Sequence, residues 1–384
     1  MSQTKAQLLE GTAAENVTVD NIVTTSVNGG QLSNRNRVIN GAMIVNQRSS
    51  TYSATGEEYL LDRFNHRTGS SFNFDTTTTQ DSSAPDGFTK SLKITPDSTQ
   101  TPSGSHNGMI ATLLEADTLI GFASGTSSAK KFVLSFYAKS ASQNNNHQYS
   151  VQLSKKNSGG TFYYQNRSFT VTSSWQRFTI AFPADTSNNI ITGNGEGLRI
   201  LWHLAAGPDD IASAVTSWTS SNGNHAVTGQ SNFMDNTSNE FYLTGVQLEA
   251  SDADVATDFE HISFAEELKK CQRYFYTSSR WMGGSRGSST SRSFILDFGM
   301  RLTGSDVSSG TYTNSETSGG DVVYIGSNAT RQESTVTANS FGVSSTSTAG
   351  SMQVGVVVGY GIGSGDNGIA TGLYVAGFTM DHEL

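Results

Sequence analysis

Tyr149-Ser-Val-Gln-Leu153 alternates apolar and polar residues, which sets Tyr149, Val151 and Leu153 on one face of an extended strand. Runs of the same character recur: Phe132-Val-Leu-Ser-Phe-Tyr-Ala-Lys139, Trp175-Gln-Arg-Phe-Thr-Ile-Ala-Phe182, Leu198-Arg-Ile-Leu-Trp-His-Leu204 and Phe241-Tyr-Leu-Thr-Gly-Val-Gln-Leu248. Turn residues separate them and no helical periodicity intervenes, which argues against a parallel α/β sheet. The pattern predicts an all-β protein of antiparallel sandwiches. Glycine and serine enrichment has a second reading, a disordered linker. Hydrophobic residues at 35% and aromatics at 10% supply enough apolar surface for packed cores and set that reading aside.

The chain divides into four segments. Residues 1–34 form a lead-in too small to hold a core, expected to order against a partner or a neighbouring subunit. Residues 35–262 read as a large jelly-roll β-sandwich. In its last strand, Gln247 and Glu249 lie opposite Val246 and Leu248 and are expected to face water. Residues 263–276 read as a short linker helix. Ser263-Phe-Ala-Glu266 fits a capping box, and Glu266 and Lys270 pair on the wet side. Phe264, Leu268, Cys271 and Phe275 form one apolar stripe, expected at a domain or oligomer interface. Residues 277–384 read as a smaller C-terminal β-sandwich, with strands around Phe294–Phe298, Val322–Ile325, Met352–Tyr360 and Leu373–Met380.

Few chemistries fit these residues. The formal net charge is −9 and no basic run occurs, so a nucleic-acid footprint is absent. No stretch approaches the ~20 apolar residues of a membrane span, and the N-terminus lacks a signal-peptide core. The single cysteine, Cys271, leaves no internal disulfide and fits folding in a reducing compartment. Gly363-Ser-Gly-Asp-Asn-Gly368 matches a dinucleotide loop formally, but a strand pattern follows it, so a hairpin turn is the better reading. The seven histidines are scattered and show no metal-ligand spacing. Asp209-Asp210 and Asp252-Ala-Asp254 are nominal calcium ligands, better read as solvated loop acids. Glu57-Glu58, Glu196 and Asp297 are nominal glycosidase carboxylates outside any motif. No Gly-x-Ser-x-Gly elbow is present, and no cofactor is expected.

Aromatic residues beside turns are the remaining candidates, because a sugar presents C–H faces to flat rings. Tyr163 and Tyr164 border the Ser158-Gly-Gly-Thr161 turn, Trp218 lies in a Ser/Asn-rich connection, and Trp281 precedes Met-Gly-Gly. For each of the four, packing is the reading weighed against carbohydrate contact. Trp175 and Trp202 sit in strand patterns and are expected in the core.

Three blocks carry a family likeness. Arg35-Asn-Arg-Val-Ile-Asn-Gly-Ala-Met-Ile-Val-Asn-Gln-Arg48 with Tyr59-Leu-Leu-Asp-Arg-Phe64 resembles the opening of phage tail-fibre jelly-roll domains. Phe132–Lys139 with Trp175-Gln-Arg-Phe178 is similar to the central strands of that fold and of carbohydrate-binding modules. Thr244-Gly-Val-Gln-Leu-Glu249 through Phe259-Glu-His261 to Glu267-Leu-Lys-Lys-Cys-Gln-Arg-Tyr274 resembles a junction recurring in tail-fibre and related virion proteins, and Gly377–Leu384 resembles their closing strand. The likeness implies a non-enzymatic homotrimeric virion protein, made in a bacterial host cytoplasm. It would contact other virion proteins through residues 1–34 and host surface polysaccharide through its loops. It fixes no binding residue. A capsid fibre or decoration protein is the alternative, and a polysaccharide depolymerase the second.

Overall fold

The computed structural model describes residues 33–48, 51–54, 56–220 and 225–278, and beyond them the backbone of short strands from 285 to 381. The fold is all-β. Strands β1 (Thr51–Ala54), β2 (Glu58–Tyr59), β3 (Phe64–Gly69), β4 (Thr76–Asp81), β5 (Ser91–Pro96), β6 (Asn107–Glu115), β7 (Lys131–Ser140) and β8 (Gln148–Lys156) are followed by β9 (Phe162–Thr170), β10 (Gln176–Phe182), β11 (Glu196–Ala206), the two-residue strands β12 (Ile211–Ala212) and β13 (Ala226–Val227), and β14 (Phe241–Ser251). Strands β1–β11 and β14 form two antiparallel six-stranded sheets, ordered β1-β4-β5-β14-β7-β10 and β2-β3-β6-β11-β8-β9, and β12 pairs with β13 in parallel. The predicted runs of residues 132–248 fall inside β7, β8, β11 and β14, and that of 175–182 in β10 except for its first residue, Trp175.

Alternation explains the core. Leu134 and Phe136 of β7, Val246 and Leu248 of β14, Val151 and Leu153 of β8, and Ile200 and Trp202 of β11 all point between the sheets and are 0% exposed. Phe136 meets Trp202 edge-on across the gap, ring centroids 5.7 Å apart. Trp202 thus lies in the core, as its strand pattern predicts. Trp175 does not. It sits just before β10, half-exposed, and packs edge-on to Tyr242 on the outside of the first sheet.

The Arg35–Phe64 and Thr244–Tyr274 blocks interlock. Asn36 bridges to β14, donating from Nδ2 to the Val246 carbonyl at 3.1 Å and accepting at Oδ1 from Leu248 N–H at 3.2 Å. Its own N–H donates to Glu260 at 2.9 Å. Arg37 N–H donates to the Leu248 carbonyl, and Val246 N–H to the Gly41 carbonyl. At Gly41 a Cβ would meet the Val246 carbonyl oxygen at 2.1 Å, so only glycine allows this approach. Asn40 N–H donates to Glu267, Gln47 Nε2 donates to the Phe275 carbonyl, and the Arg63 guanidinium lies 3.5 Å from the Tyr274 ring centroid.

This clasp corrects two expectations. Gln247 and Glu249 do point away from Val246 and Leu248, but they are 0% and 3% exposed. The chain after β14 folds back over them: Thr257 N–H and hydroxyl donate to Glu249, and Glu260 N–H donates to Gln247 Oε1. The helix is also shorter and turned. Helix α1 spans Phe264–Gln272, with Ser263 and Glu266 forming the reciprocal capping box. Phe275 begins a strand rather than extending the stripe, and Phe264 is 56% exposed. The buried side is Glu267, Cys271 and Tyr274, with Leu268 half-buried, because that side meets the Arg35–Arg48 block.

After α1, β15 (Phe275–Ser278) pairs antiparallel with Phe378–Asp381. Strands at Arg292–Asp297, Asp321–Gly326 and Gln353–Val358 lie side by side, in antiparallel ladders. Residues 1–32, Trp281, the Gly363–Gly368 loop and the faces of the Met352–Tyr360 run lie outside the described residues.

Candidate functional site

The outward face of the second sheet bears a groove of about 360 Å³. That volume suits a small ligand or one to two sugar rings. The alternation that sends Val151, Leu153, Ile200 and Trp202 inward sends Gln152, Ser154, Arg199, Leu201 and His203 outward. From β6 come Asn107 and Met109, from β3 Arg67, and from the edge strand β9 Phe162 and Tyr164, all lining the same groove. Met109 and Leu201, with Ala111 and Leu113, make a small apolar cluster in its floor, apart from the main core.

From the connection after β11, described at residues 207–220 and 225–230, His225 lines the groove. Asn166 of β9 accepts from Val215 N–H at 2.7 Å and donates to the His225 carbonyl at 3.1 Å, and Tyr164 N–H donates to Thr219. His225 thereby stacks on His203, centroids 5.9 Å apart and planes 13° from parallel. Both rings address one oxygen: Gln152 Oε1 lies 2.9 Å from His203 Nε2 and 3.3 Å from His225 Nδ1. Burial, with His225 nearby, pushes the His203 imidazole down to about 3, so it is neutral at physiological pH. Close by on β6, Asn107 donates from Nδ2 to Asp210, whose carboxyl is pushed up by burial.

The charged side chains of the groove are already engaged. Arg67 pairs with Glu57 at 3.1 Å. Arg199 grips Glu196 with two nitrogens and lies over the Phe162 ring, 4.3 Å from its centroid. Glu57 and Glu196, nominal glycosidase acids, thus serve as counter-ions. Asp252 and Asp254 pair with Lys130 and Lys131. Among the described residues no group of three or more His, Cys, Asp or Glu side chains is arranged to hold a metal ion.

The sequence-predicted aromatics separate. Tyr164 lines the groove, 5% exposed. Tyr163, its neighbour in β9, points to the other side of the sheet, 5.9 Å from Lys155 Nζ. Trp218 packs against the core, edge-on to Phe132, with its indole N–H donating to the Pro183 carbonyl at 2.7 Å. Tyr163 and Tyr164 belong to a strand rather than a loop, and strand parity decides which reaches the groove. Trp281 lies outside the described residues. Phe162, Asn107, Gln152, Arg199 and His203 were not singled out from sequence as site residues. Their signal was the face opposite each core face, where Met109 and Leu201 stand as apolar residues among polar ones.

No family model matches the chain, and no curated protein sequence matches it. Among solved structures it is similar to a family 11 carbohydrate-binding module of a cellulosomal cellulase of Clostridium thermocellum, at 16% identity and a TM-score of 0.28, covering 52% of this chain and 96% of that one. It is similar to a xylan-binding domain of Paenibacillus barcinonensis at 11% identity and a TM-score of 0.27, over 53% of this chain and 94% of that one. It also resembles the enzymatically active domain of tailspike protein 4 of bacteriophage CBA120, at 12% identity and a TM-score of 0.27, over 56% of this chain but 21% of that one. Likenesses this remote carry no functional argument.

Proposed function

We propose that the chain is a non-enzymatic, glycan-binding virion protein of a bacteriophage, and that the groove on the second sheet is its glycan site. The observation that carries the binding reading is the groove: an apolar floor of Met109 and Leu201 beside aromatic Phe162 and Tyr164, ringed by amides, hydroxyls and imidazoles. A sugar ring needs that combination, a surface for its C–H face and hydrogen-bonding groups around its rim. The virion reading rests on the sequence blocks. Two of them interlock in the clasp and the third lies in β7 and β10 of the first sheet, and none of their described residues lines the groove, so they bear on the scaffold rather than on the ligand. Carboxylates paired with arginine lack the free acid and base of a hydrolase, which supports binding without turnover. Trimerisation would multiply weak single-site binding by valency, and residues 1–34 would dock the protein on the particle, at the tail or at the head.

Calorimetry of the full chain against panels of bacterial surface polysaccharide tests the site. Phe162→Ala with Tyr164→Ala is expected to weaken binding at least tenfold at a temperature where circular dichroism shows the double variant folded. A folded double variant that binds like the parent would move the glycan site elsewhere. Loss of polysaccharide chain length during incubation would establish a depolymerase instead.

A further inference from the structure

Two side chains at the inner end of the groove have their hydrogen-bond polarity fixed from behind. Asn107 donates from Nδ2 to Asp210 Oδ2, so the amide is held with Oδ1 turned the other way. His203 is a neutral ring whose Nε2–H is spent on Gln152 Oε1, which leaves Nδ1 as a bare lone pair. Asn107 Oδ1 and His203 Nδ1 are both buried acceptors without a hydrogen-bond partner. Both residues line the groove. A buried acceptor is improved by a donor and worsened by another lone pair.

The cations point the same way. Arg67 is held by Glu57 at 3.1 Å, and Arg199 by Glu196 and by its stacking over Phe162. Among the described residues no lysine lines the groove. An anionic sugar would have to pull one guanidinium from its carboxylate and would bring its charge near Asp210.

We infer that the inner end of the groove selects neutral, hydroxyl-donating glycans over those carrying carboxylate or sulfate groups, with Asn107 as the specificity-determining residue. This rests on the groove being the glycan site. Hydroxyls would donate to Asn107 Oδ1 and His203 Nδ1, while the ring's C–H face lies on Met109 and Leu201.

The test is calorimetry of the full chain near neutral pH with two sets of probes: dextran, mannan and laminarin oligosaccharides, and oligogalacturonate, sialyllactose and heparin fragments. A neutral probe is expected to bind at least tenfold more tightly than any acidic one. Asp210→Asn frees the Asn107 amide to turn its N–H outward and is expected to narrow that ratio several-fold. Asn107→Ala is expected to weaken the neutral probe about tenfold, and serves if Asp210→Asn folds poorly. Equal or tighter binding of acidic probes would overturn the selectivity while leaving the groove as a glycan site. So would a neutral-to-acidic ratio unmoved by both variants. Binding of neither set, or binding indifferent to Phe162→Ala with Tyr164→Ala, would remove the groove as the site and the inference with it.

Discussion

Single residues show where polar groups are worth burying in this sandwich. Lys155 is 0% exposed and its ammonium reaches Asp185 at 2.9 Å and Ser124 Oγ at 2.9 Å, and donates to the Asn188 carbonyl. Burial alone would raise the Asp185 carboxyl. The Lys155 ammonium and the N–H groups of Ser187 and Asn188 more than offset it and leave it below the ordinary carboxylate range. The pair ties the 124 and 185–188 loops behind β8. Lys155→Met strands a buried carboxylate and is expected to lose about 3–5 kcal/mol in chemical denaturation, and Lys155→Met with Asp185→Leu to recover much of that. Because the folded-state value of Asp185 is depressed, its contribution is full above about pH 4 and is lost as pH falls through the lower value. A parent acid-unfolding curve no steeper than that of the double variant would argue against the pair. Nothing in the pattern around Lys155 announces this, since a lysine in a strand ordinarily faces water.

At the scale of elements, the strands were legible and the coverings were not. Period-two alternation located β7, β8, β10, β11 and β14, and the capping box located the start of α1, because both are local signals. Which polar face stays wet is a long-range matter. Gln247 and Glu249 are sealed by Thr257–Glu260, and the groove is bounded by a connection that pairs with β9. Periodicity cannot see either. The same limit turned the helix: the apolar count favoured Phe264, which is exposed, whereas the contact is made by Glu267, Cys271 and Tyr274 together with Phe275, whose ring lies under Arg48. Glu267 is 6% exposed, and burial raises its carboxyl despite the Asn40 N–H it accepts at 2.6 Å. A raised acid favours folding when protonated, so its penalty grows as pH rises from about 4 through the raised value. Glu267→Gln keeps the acceptor and drops the charge. It is expected to match the parent near pH 4 and to exceed it by on the order of 1 kcal/mol at pH 8. A variant less stable at pH 8 would mean the carboxylate is needed as an ion.

For the whole molecule, none of the described clasp residues that carry the family likeness lines the groove, so scaffold and ligand site can vary separately. Oligomeric state belongs to this scale. Sedimentation equilibrium at micromolar concentration is expected to return three times the monomer mass of 40.9 kDa. A stable monomer there would count against the fibre reading and leave the groove untouched. Val255, Phe264 and Ile120 are the large apolar side chains most exposed among the described residues, and cross-linking near them is the direct way to place a subunit contact.

The clasp also sets the order of biosynthesis. Asn36 and Glu260 are 224 positions apart, and Gln47 and Phe275 are 228 apart. A ribosome has released the first block long before it makes the second. Until then Arg35–Arg48 has nothing to dock on, and β14, a central strand flanked by β5 and β7, is missing from the first sheet. The sandwich therefore cannot close during translation of its own first half. Long-range closure of this kind makes folding slow and exposes unpaired strand edges meanwhile. Nascent chains stalled before residue 244 should stay protease-sensitive throughout, and the protected body should appear in one step once the Thr244–Tyr274 block has emerged.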